Sequence, residues 1–558
     1  MSRLTGRAGE TALPKFAVGI VLVWLVLAPL IFIALASFGV INDEILRPWQ
    51  KLAVDNRLPE VVKNTFVLAI CVSIGATFIG TLLALAIERT RVPWAGMMDK
   101  LILVPIMVSP LVGAVAWISL GRPETGIINM IWRTLTGSKD ALFNIYSFVG
   151  VALVMVLHLL PYVYVNVRGA LQNTDGSMEE AAIILGADTM YIWRRITLPL
   201  ALPAILSSAL MVFVLTLETF SVVGLLGGPA GFITLPFNIY LAVSLPPGDW
   251  NYAALQGFLL VMITGVLMAG YWMLIGASGK YSTVGAKGFR PAKKVGGSAS
   301  RVLSGLVRAY VLIAVILPLM ALVLQSALAF ATTRPENMVF TFDNWSTLME
   351  SAAFQKAFFN TALIGGIAAS AAVIICIFVA QITVFERVRS LDWLSTLPLA
   401  FPGIVLGMAM VFMYAPTPLY GTFWILALGF ATQFLPFANR ALSVPMMQLD
   451  RGLDESGKLL GAYMVKRVFS LTSLMIRKAV VGAWIVCFTR GIRELNIAIF
   501  LYTPATIVMP VLIWEYMEQG MQSLAAALSI VQLVLLIGIV SIMERLSQIR
   551  QGAVAQGD

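Results

Sequence analysis

Twelve long apolar runs alternate with short polar segments along the chain, at residues 16–38, 61–87, 101–120, 147–171, 197–226, 252–276, 306–330, 357–385, 393–415, 421–446, 473–501 and 522–543. A bilayer core about 30 Å thick is crossed by about 20 residues of α-helix. Each run therefore predicts one spanning helix, and the longer ones predict helices that tilt, bend or emerge from the hydrocarbon. Backbone groups in lipid must be paired within their own segment, which favours helices here. The pattern predicts an all-α, polytopic membrane protein of about twelve transmembrane helices. The first run is too long for a signal-peptide core and lacks a small-residue cleavage pattern, so it is expected to remain as the first span.

Composition narrows the function classes. Of 558 residues 59% are hydrophobic and 12% charged, with a mean hydropathy of +0.89, whereas soluble domains carry about 25% charged residues. A soluble enzyme, a secreted disulfide scaffold and a nucleic-acid binder are disfavoured. The formal charge of +10 has a topological explanation, because basic residues crowd the loops. Between the sixth and seventh runs, Lys280, Lys287, Arg290, Lys293, Lys294, Arg301 and Arg308 occur without an acid from Gly276 to Tyr310. The positive-inside rule makes this linker cytoplasmic, and six spans on either side then put both termini inside. A solvated tether is the simpler reading of the linker, with contact to anionic membrane lipid as the alternative. Cys71, Cys376 and Cys487 each lie in an apolar run, which predicts small lipid-phase or core side chains rather than disulfides.

The chain repeats itself. Asn64-Thr65 answers Asn360-Thr361, Glu88-Arg89 answers Glu386-Arg387, Leu160-Pro161-Tyr162 answers Leu435-Pro436-Phe437, and Pro229 answers Pro504. Two six-span modules in the same orientation follow, residues 1–276 and 306–558, joined by the basic linker 277–305. Such a parallel repeat most simply encloses a path at its pseudo-two-fold axis.

The loop between the fourth and fifth runs carries Glu180-Ala181-Ala182, three residues, Gly186, nine residues, and Ile196-Thr197-Leu198-Pro199. Alanines favour a helix of low relief, Gly186 allows a bend, and Pro199 can open the next helix. A short helix, a bend and a second helix are predicted, with Glu180 offering an anion to a partner. An ordinary interfacial amphipathic helix is the competing reading. At the matching place the second half keeps Glu455 and Gly461 but has Ser456-Gly457 for the alanines and Leu471, Ser473 and Leu474 for Ile, Leu and Pro. Serine and glycine are weaker helix formers, so the second docking helix is expected to be less regular or to grip less tightly.

The first pattern matches the EAA motif of permease subunits of ATP-binding-cassette importers, and the whole chain resembles a fused, double-length permease of the ferric-iron class, related to thiamine, polyamine and phosphonate permeases. Glu218-Thr219-Phe220-Ser221-Val222 leading to Gly227-Gly228-Pro229, and Arg493-Glu494-Leu495 followed by Tyr502-Thr503-Pro504, carry that likeness. The resemblance implies a passive pore in the bacterial inner membrane, not an enzyme. Two ATP-binding-cassette subunits would dock on the cytoplasmic side and bind ATP and Mg, and a periplasmic binding protein would deliver the solute. No cofactor is expected on this chain: Gly276-Ala277-Ser278-Gly279-Lys280 is two residues short of a P-loop and is followed by Tyr281.

Charge at membrane depth is costly and tends to face a cavity or a partner. Glu218 falls in the fifth run, and Arg490, Arg493 and Glu494 in the eleventh. Spacings of three and four put Arg490, Arg493 and Glu494 on one helix face, where Arg490 and Glu494 can pair. Either a neutralised network glues the halves or these groups line a polar gate. His158, the only histidine, reads as a satisfied buried imidazole rather than a metal ligand. Trp49, Trp132, Trp250, Trp345 and Trp514 are expected to anchor the interface or meet the binding protein, and the prolines in or beside spans to make fixed bends. An ion-coupled secondary transporter remains the reading from another class, permitted by the repeat and the buried charges but without use for a docking motif.

Overall fold

The computed structural model describes residues 14–41, 45–278, 294–330, 332–333 and 335–555. Lys280, Lys287, Arg290 and Lys293 of the linker lie outside them, as do Gly279 and Tyr281 of the P-loop lookalike. Among the described residues the chain is helical, with two isolated β-bridges and no sheet. Eight helices are long and apolar enough to cross a membrane, and four further pairs qualify as bent spans. The all-α polytopic fold is thus present.

In the first half these are α1 (Pro14–Ser37), α2 (Leu58–Arg89), the pair α3 (Ala95–Met107) and α4 (Pro110–Gly121), and α5 (Phe148–Gln172). The short α6 (Ser177–Ile184) precedes α7 (Thr189–Leu217), α8 (Leu235–Ser244) and α9 (Trp250–Ser278). The second half follows the same order with α10 (Ser298–Ser326), α11 (Ala352–Glu386), the pair α12 (Arg389–Ala400) and α13 (Gly403–Tyr414), and α14 (Phe423–Met447). Then come α15 (Arg451–Leu459), the pair α16 (Met464–Met475) and α17 (Arg477–Arg493), α18 (Met509–Glu518) and α19 (Gln522–Ala555).

Three of the runs read as single spans are broken. The third bends by 101° between α3 and α4 and the ninth by 106° between α12 and α13. Pro110 and Pro402 stand at these corners. A proline offers no N–H to the preceding turn and pushes its predecessor out of the helical region, and Ser109 (ψ 142°) and Phe401 (ψ 114°) are accordingly extended. The eleventh bends by 91° at Ile476. The fifth run ends as a helix at Leu217, and a π-helical turn at Val223–Gly227 leads instead into α8. Residues 227–251 and 502–521, read from the sequence as outer loops, contain α8 and α18. At ten residues each these helices are too short to span and too apolar to lie in water.

Both short helices are held by the repeated Asn-Thr pair. Thr65 Oγ1 accepts the Leu235 N–H at 2.8 Å, and Thr361 Oγ1 accepts the Met509 N–H at 2.8 Å. Asn64 and Asn360 donate to the carbonyls just before, Ile233 in one half and Ala505 and Ile507 in the other.

Each half has a three-helix centre, α2 with α5 and α7, and α11 with α14 and α17. Small residues permit the close crossings expected of helices in lipid: a Cβ on Gly491 would lie 3.0 Å from the Gly365 Cα, and one on Gly80 would lie 3.1 Å from the Leu160 carbonyl oxygen. The outer helices are exchanged. α1 packs on α9 of its own half and on α13 of the other, while α10 packs on α19 of its own half and on α4 of the other.

Candidate docking loops and translocation path

Two similar loops project from the face that carries the end of α2 and the start of α3. In the first, Glu180, Ala181 and Ala182 lie on α6, and Gly186 turns the chain at φ +82°. In the second, Glu455 lies on α15 and Gly461 turns the chain at φ +74°. A residue with a side chain is strained in this left-handed region, which gives both glycines a backbone reason. Ile184 and Leu185 stand 84% and 87% exposed at the tip of the first loop, and Leu459 and Leu460 80% and 87% exposed at the same place in the second. Aliphatic pairs this exposed are suited to a partner's groove.

The second docking helix is not less regular than the first. It runs unbroken for nine residues against eight. Asp450 caps it by accepting the Gly452 N–H at 2.9 Å, and Lys458 pairs with Asp454 at 2.7 Å; these local bonds offset the weaker propensity of Ser456 and Gly457. The irregularity falls further on, at the Ile476 bend.

The acid that anchors each loop is the one before the motif glutamate, which sequence reasoning passed over. Glu179 is buried and pairs with Arg89 at 3.0 Å; Asp454 is buried and pairs with Arg467 at 2.8 Å. The available signal was the adjacent acid in both halves, Glu179-Glu180 and Asp454-Glu455.

Where the halves meet, a polar cavity of about 170 Å³ opens between α5, α7, α14 and α17. Glu218, Arg490, Arg493 and Glu494 all line it. The structure brings these groups to one space but does not pair them as the helix spacing suggested, since no carboxylate–guanidinium contact within 4 Å joins them among the described residues. The helix ends at Arg493, and Glu494, at ψ 108°, turns away to accept the Ile497 N–H at 3.2 Å. Glu218 likewise stands just past the end of its helix, at the C-cap, rather than within it. Arg490 stacks its guanidinium 3.4 Å from the centroid of the Phe437 ring, a cation–π contact, and Arg493 donates to the Ile106 carbonyl across the half boundary. Gly403 lets the Glu494 segment approach, because a Cβ there would lie 3.0 Å from Asn496 Cβ.

Other lining groups were missed or misread. Gln433 presents a buried carbonyl oxygen without a hydrogen-bond partner, and Asn496, Tyr162 and Ser221 add polar surface. His158 is not a satisfied core residue: it stands half-buried on the cavity wall, without a hydrogen bond to the described protein. No group of three or more His, Cys, Asp or Glu side chains converges as a metal site among the described residues. Cys71 is exposed, and Cys376 and Cys487 are buried.

Phe220 on the cavity wall belongs to a cluster of aromatic rings from both halves. Phe220 lies 4.7 Å from Trp514 between ring centroids and 5.0 Å from Tyr240. Trp514, expected at the interface with water, is 2% exposed. It reaches so far into the first half that a Cβ on Gly224 would overlap its ring.

Near the start of α2 a second, more open hollow of about 780 Å³ is bordered by Asp55, Lys51, Asp249 and Tyr252. Partial burial raises the Asp55 carboxyl, but the Tyr252 hydroxyl, the backbone N–H groups of Arg57 and Leu58 and the Lys51 charge outweigh it and hold the group below its usual range. Asp249 is lowered in the same way, its burial outweighed chiefly by Lys51, which donates to it at 2.7 Å.

Comparison with known proteins places this geometry. Over 494 residues the chain is 27% identical to the ferric transport system permease protein FbpB of Actinobacillus pleuropneumoniae, covering 86% of this chain and 70% of that protein. It is 24% identical to the Fe(3+)-transport system permease protein FbpB 2 of Haemophilus influenzae, covering 87% and 89%. A shorter relative, the putrescine transport system permease protein PotI of Escherichia coli, is 27% identical over 201 residues, covering 33% of this chain and 70% of its own. Residues 11–276 match the binding-protein-dependent transport system inner membrane component family. With that match over just under half of the chain and the alignments running on through the second half, the chain is similar over most of its length to double-length permeases of such importers.

Proposed function

We propose that this permease carries ferric iron inward across the bacterial inner membrane, receiving it from a periplasmic binding protein and driven by two separate ATP-binding subunits. The observation that carries the choice of solute is the alignment with ferric permeases over 86% and 87% of the chain, against 33% for the putrescine permease. In this reading ATP and Mg reside on the partner subunits, and this chain binds no cofactor of its own.

The two loops supply the docking surfaces, Glu180, Ala181, Ala182 and Gly186 on one and Glu455 and Gly461 on the other, each with its exposed aliphatic pair. The face that bears them is cytoplasmic, and with it both termini. Residues 1–276 and 306–558 act as the two halves of the pore, tied by the basic linker 277–305. The cavity lined by Glu218, Arg490, Arg493 and Glu494 is the path. Its carboxylates and guanidiniums give a hydrated or complexed ion polar contacts in place of water, and without three converging ligands it passes the cargo on rather than storing it. The aromatic rings about Trp514 close the path toward the periplasm.

The test is affinity purification of the tagged chain from native membranes, followed by reconstitution with the subunits recovered and measurement of radioactive ferric uptake. Recovery of an ATP-binding subunit at about two copies per chain, with ATP-dependent uptake of iron from a co-encoded binding protein, is expected. ATP-dependent uptake of a polyamine, thiamine or phosphonate but not iron would replace the solute. Uptake that follows a proton gradient and ignores ATP would replace the mechanism.

A further inference from the structure

We propose that the buried Arg89–Glu179 ion pair is the joint through which the first docking loop moves the membrane helices, and that the second loop uses a different, redundant joint centred on Asp454. The proposal rests on the reading above, in which ATP-binding subunits push the docking loops.

Arg89 is the last residue of α2 and is 3% exposed. Its Nε donates to Glu179 Oε1 at 3.0 Å and its Nη2 to the Leu171 carbonyl in the last turn of α5 at 3.0 Å. The same Glu179 oxygen accepts the Thr197 hydroxyl, on α7, at 2.9 Å. One ion pair therefore fastens α6 to the ends of α2 and α5 and to the third turn of α7, the three helices at the centre of the first half. Displacement of α6 reaches each of them through hydrogen-bonded contacts, the kind of contiguous network that can carry coupling. Glu179 is the carboxylate within 4 Å of Arg89 among the described residues, and Glu88, the acid beside Arg89, is engaged with Arg168 at 2.7 Å. Removing the carboxylate leaves a guanidinium buried without a counter-charge, the costly way to break such a pair.

The second half reaches the same end by other residues. Arg387, the counterpart of Arg89, takes no part. Asp454 receives Gln381 Nε2 of α11 at 2.8 Å, Arg467 Nε of α16 at 2.8 Å and Lys458 Nζ at 2.7 Å. Arg467 also lies 3.9 Å from Glu386 and donates to the Ala462 carbonyl at 3.1 Å. Loss of the Asp454 charge leaves Arg467 within 3.9 Å of a second carboxylate, Glu386, which it shares with Lys15, and an amide in its place keeps an acceptor for Gln381. The first joint has one carboxylate and the second has two.

The experiment compares transport per ATP hydrolysed in proteoliposomes holding the complete complex. A merely structural defect lowers both rates together and leaves that ratio alone. Glu179→Gln is expected to lower the ratio on the order of tenfold, within the usual span of coupling energies, and Asp454→Asn to lower it less than about threefold. Glu179→Asp, which keeps the charge, should stay near the parent. An unchanged ratio in Glu179→Gln at normal abundance would overturn the joint, and equal losses in Glu179→Gln and Asp454→Asn would overturn the inequality. Should Glu179→Gln fail to accumulate, Arg89→Lys, which keeps the charge but gives up the bond to Leu171, is read instead: a reduced ratio supports the joint and a parental ratio rejects it. A parent complex whose uptake ignores ATP would remove the underlying reading, an outcome visible before any variant is made.

Discussion

Two threonines at equivalent places perform the same local task. Thr65 and Thr361 are 4% and 1% exposed, and each gives its hydroxyl proton to the carbonyl four residues earlier while its oxygen accepts the first N–H of α8 or α18. Valine matches threonine in shape but leaves that N–H buried without an acceptor, which costs about 1–3 kcal/mol. Thr65→Val and Thr361→Val should each lower the unfolding temperature of the purified protein in detergent, by similar amounts, and serine at either site should recover most of the loss. Valine variants as stable as the parent would mean that water or a neighbour replaces the hydroxyl. The Asn-Thr pairs were visible in the sequence as marks of the repeat, but their partners lie 145 to 170 positions away. The same holds for Arg89 and Glu179, 90 positions apart: a motif fixes what is near in the chain, and the groups that bind it come from elsewhere.

At the scale of elements, hydropathy located the long helices and erred where a run is long enough to span but carries a corner. Pro110 and Pro402 were legible as bends; that they make corners above 100° was not, because the angle depends on what each following helix packs against. α8 and α18 escaped because ten mostly apolar residues fall below the length that marks a span. In the proposed path they matter because the Val223–Gly227 turn and α18 bring Gly224 against the Trp514 ring. A side chain at 224 must push that ring aside, and overpacking of this kind typically costs about 1–3 kcal/mol. Gly224→Ala should therefore disturb the closed aromatic layer and raise the leak of small solutes through proteoliposomes. Adding Trp514→Phe, which shortens the opposing ring, should reduce that leak. A double variant as leaky as Gly224→Ala alone would show that the contact between these two residues is not what keeps the path closed.

Over the whole molecule, the exchange of outer helices decides how the halves stay together. α1 crosses to α13 and α10 crosses to α4, so each half contributes a helix to the other's wall. Polar bonds follow the same route: Thr264 of α9 donates to the Ala400 carbonyl at 2.7 Å, and Tyr310 of α10 donates to the Leu157 carbonyl of α5 at 3.1 Å. The described end of the linker is tied to the end of α2 in the first half. Val295 donates to the Arg89 carbonyl at 2.9 Å, and Lys294 donates to the Ile87 carbonyl at 2.7 Å. Lys15, at the start of α1, pairs reciprocally with Glu386 at the end of α11. Contacts on this scale do not need a covalent connection, whose contribution is the high effective concentration that a short tether gives. Residues 1–285 and 286–558, produced as two separate chains in one cell, should therefore co-purify through a tag on either and support ATP-driven uptake. If the chains are made and inserted but do not associate, the linker is what holds the pore together, and the exchanged helices follow from assembly rather than cause it. If they associate without uptake, the pairing of Val295 with the end of α2 at Arg89 must be made in one chain to keep the loop around Glu180 in register with the second half.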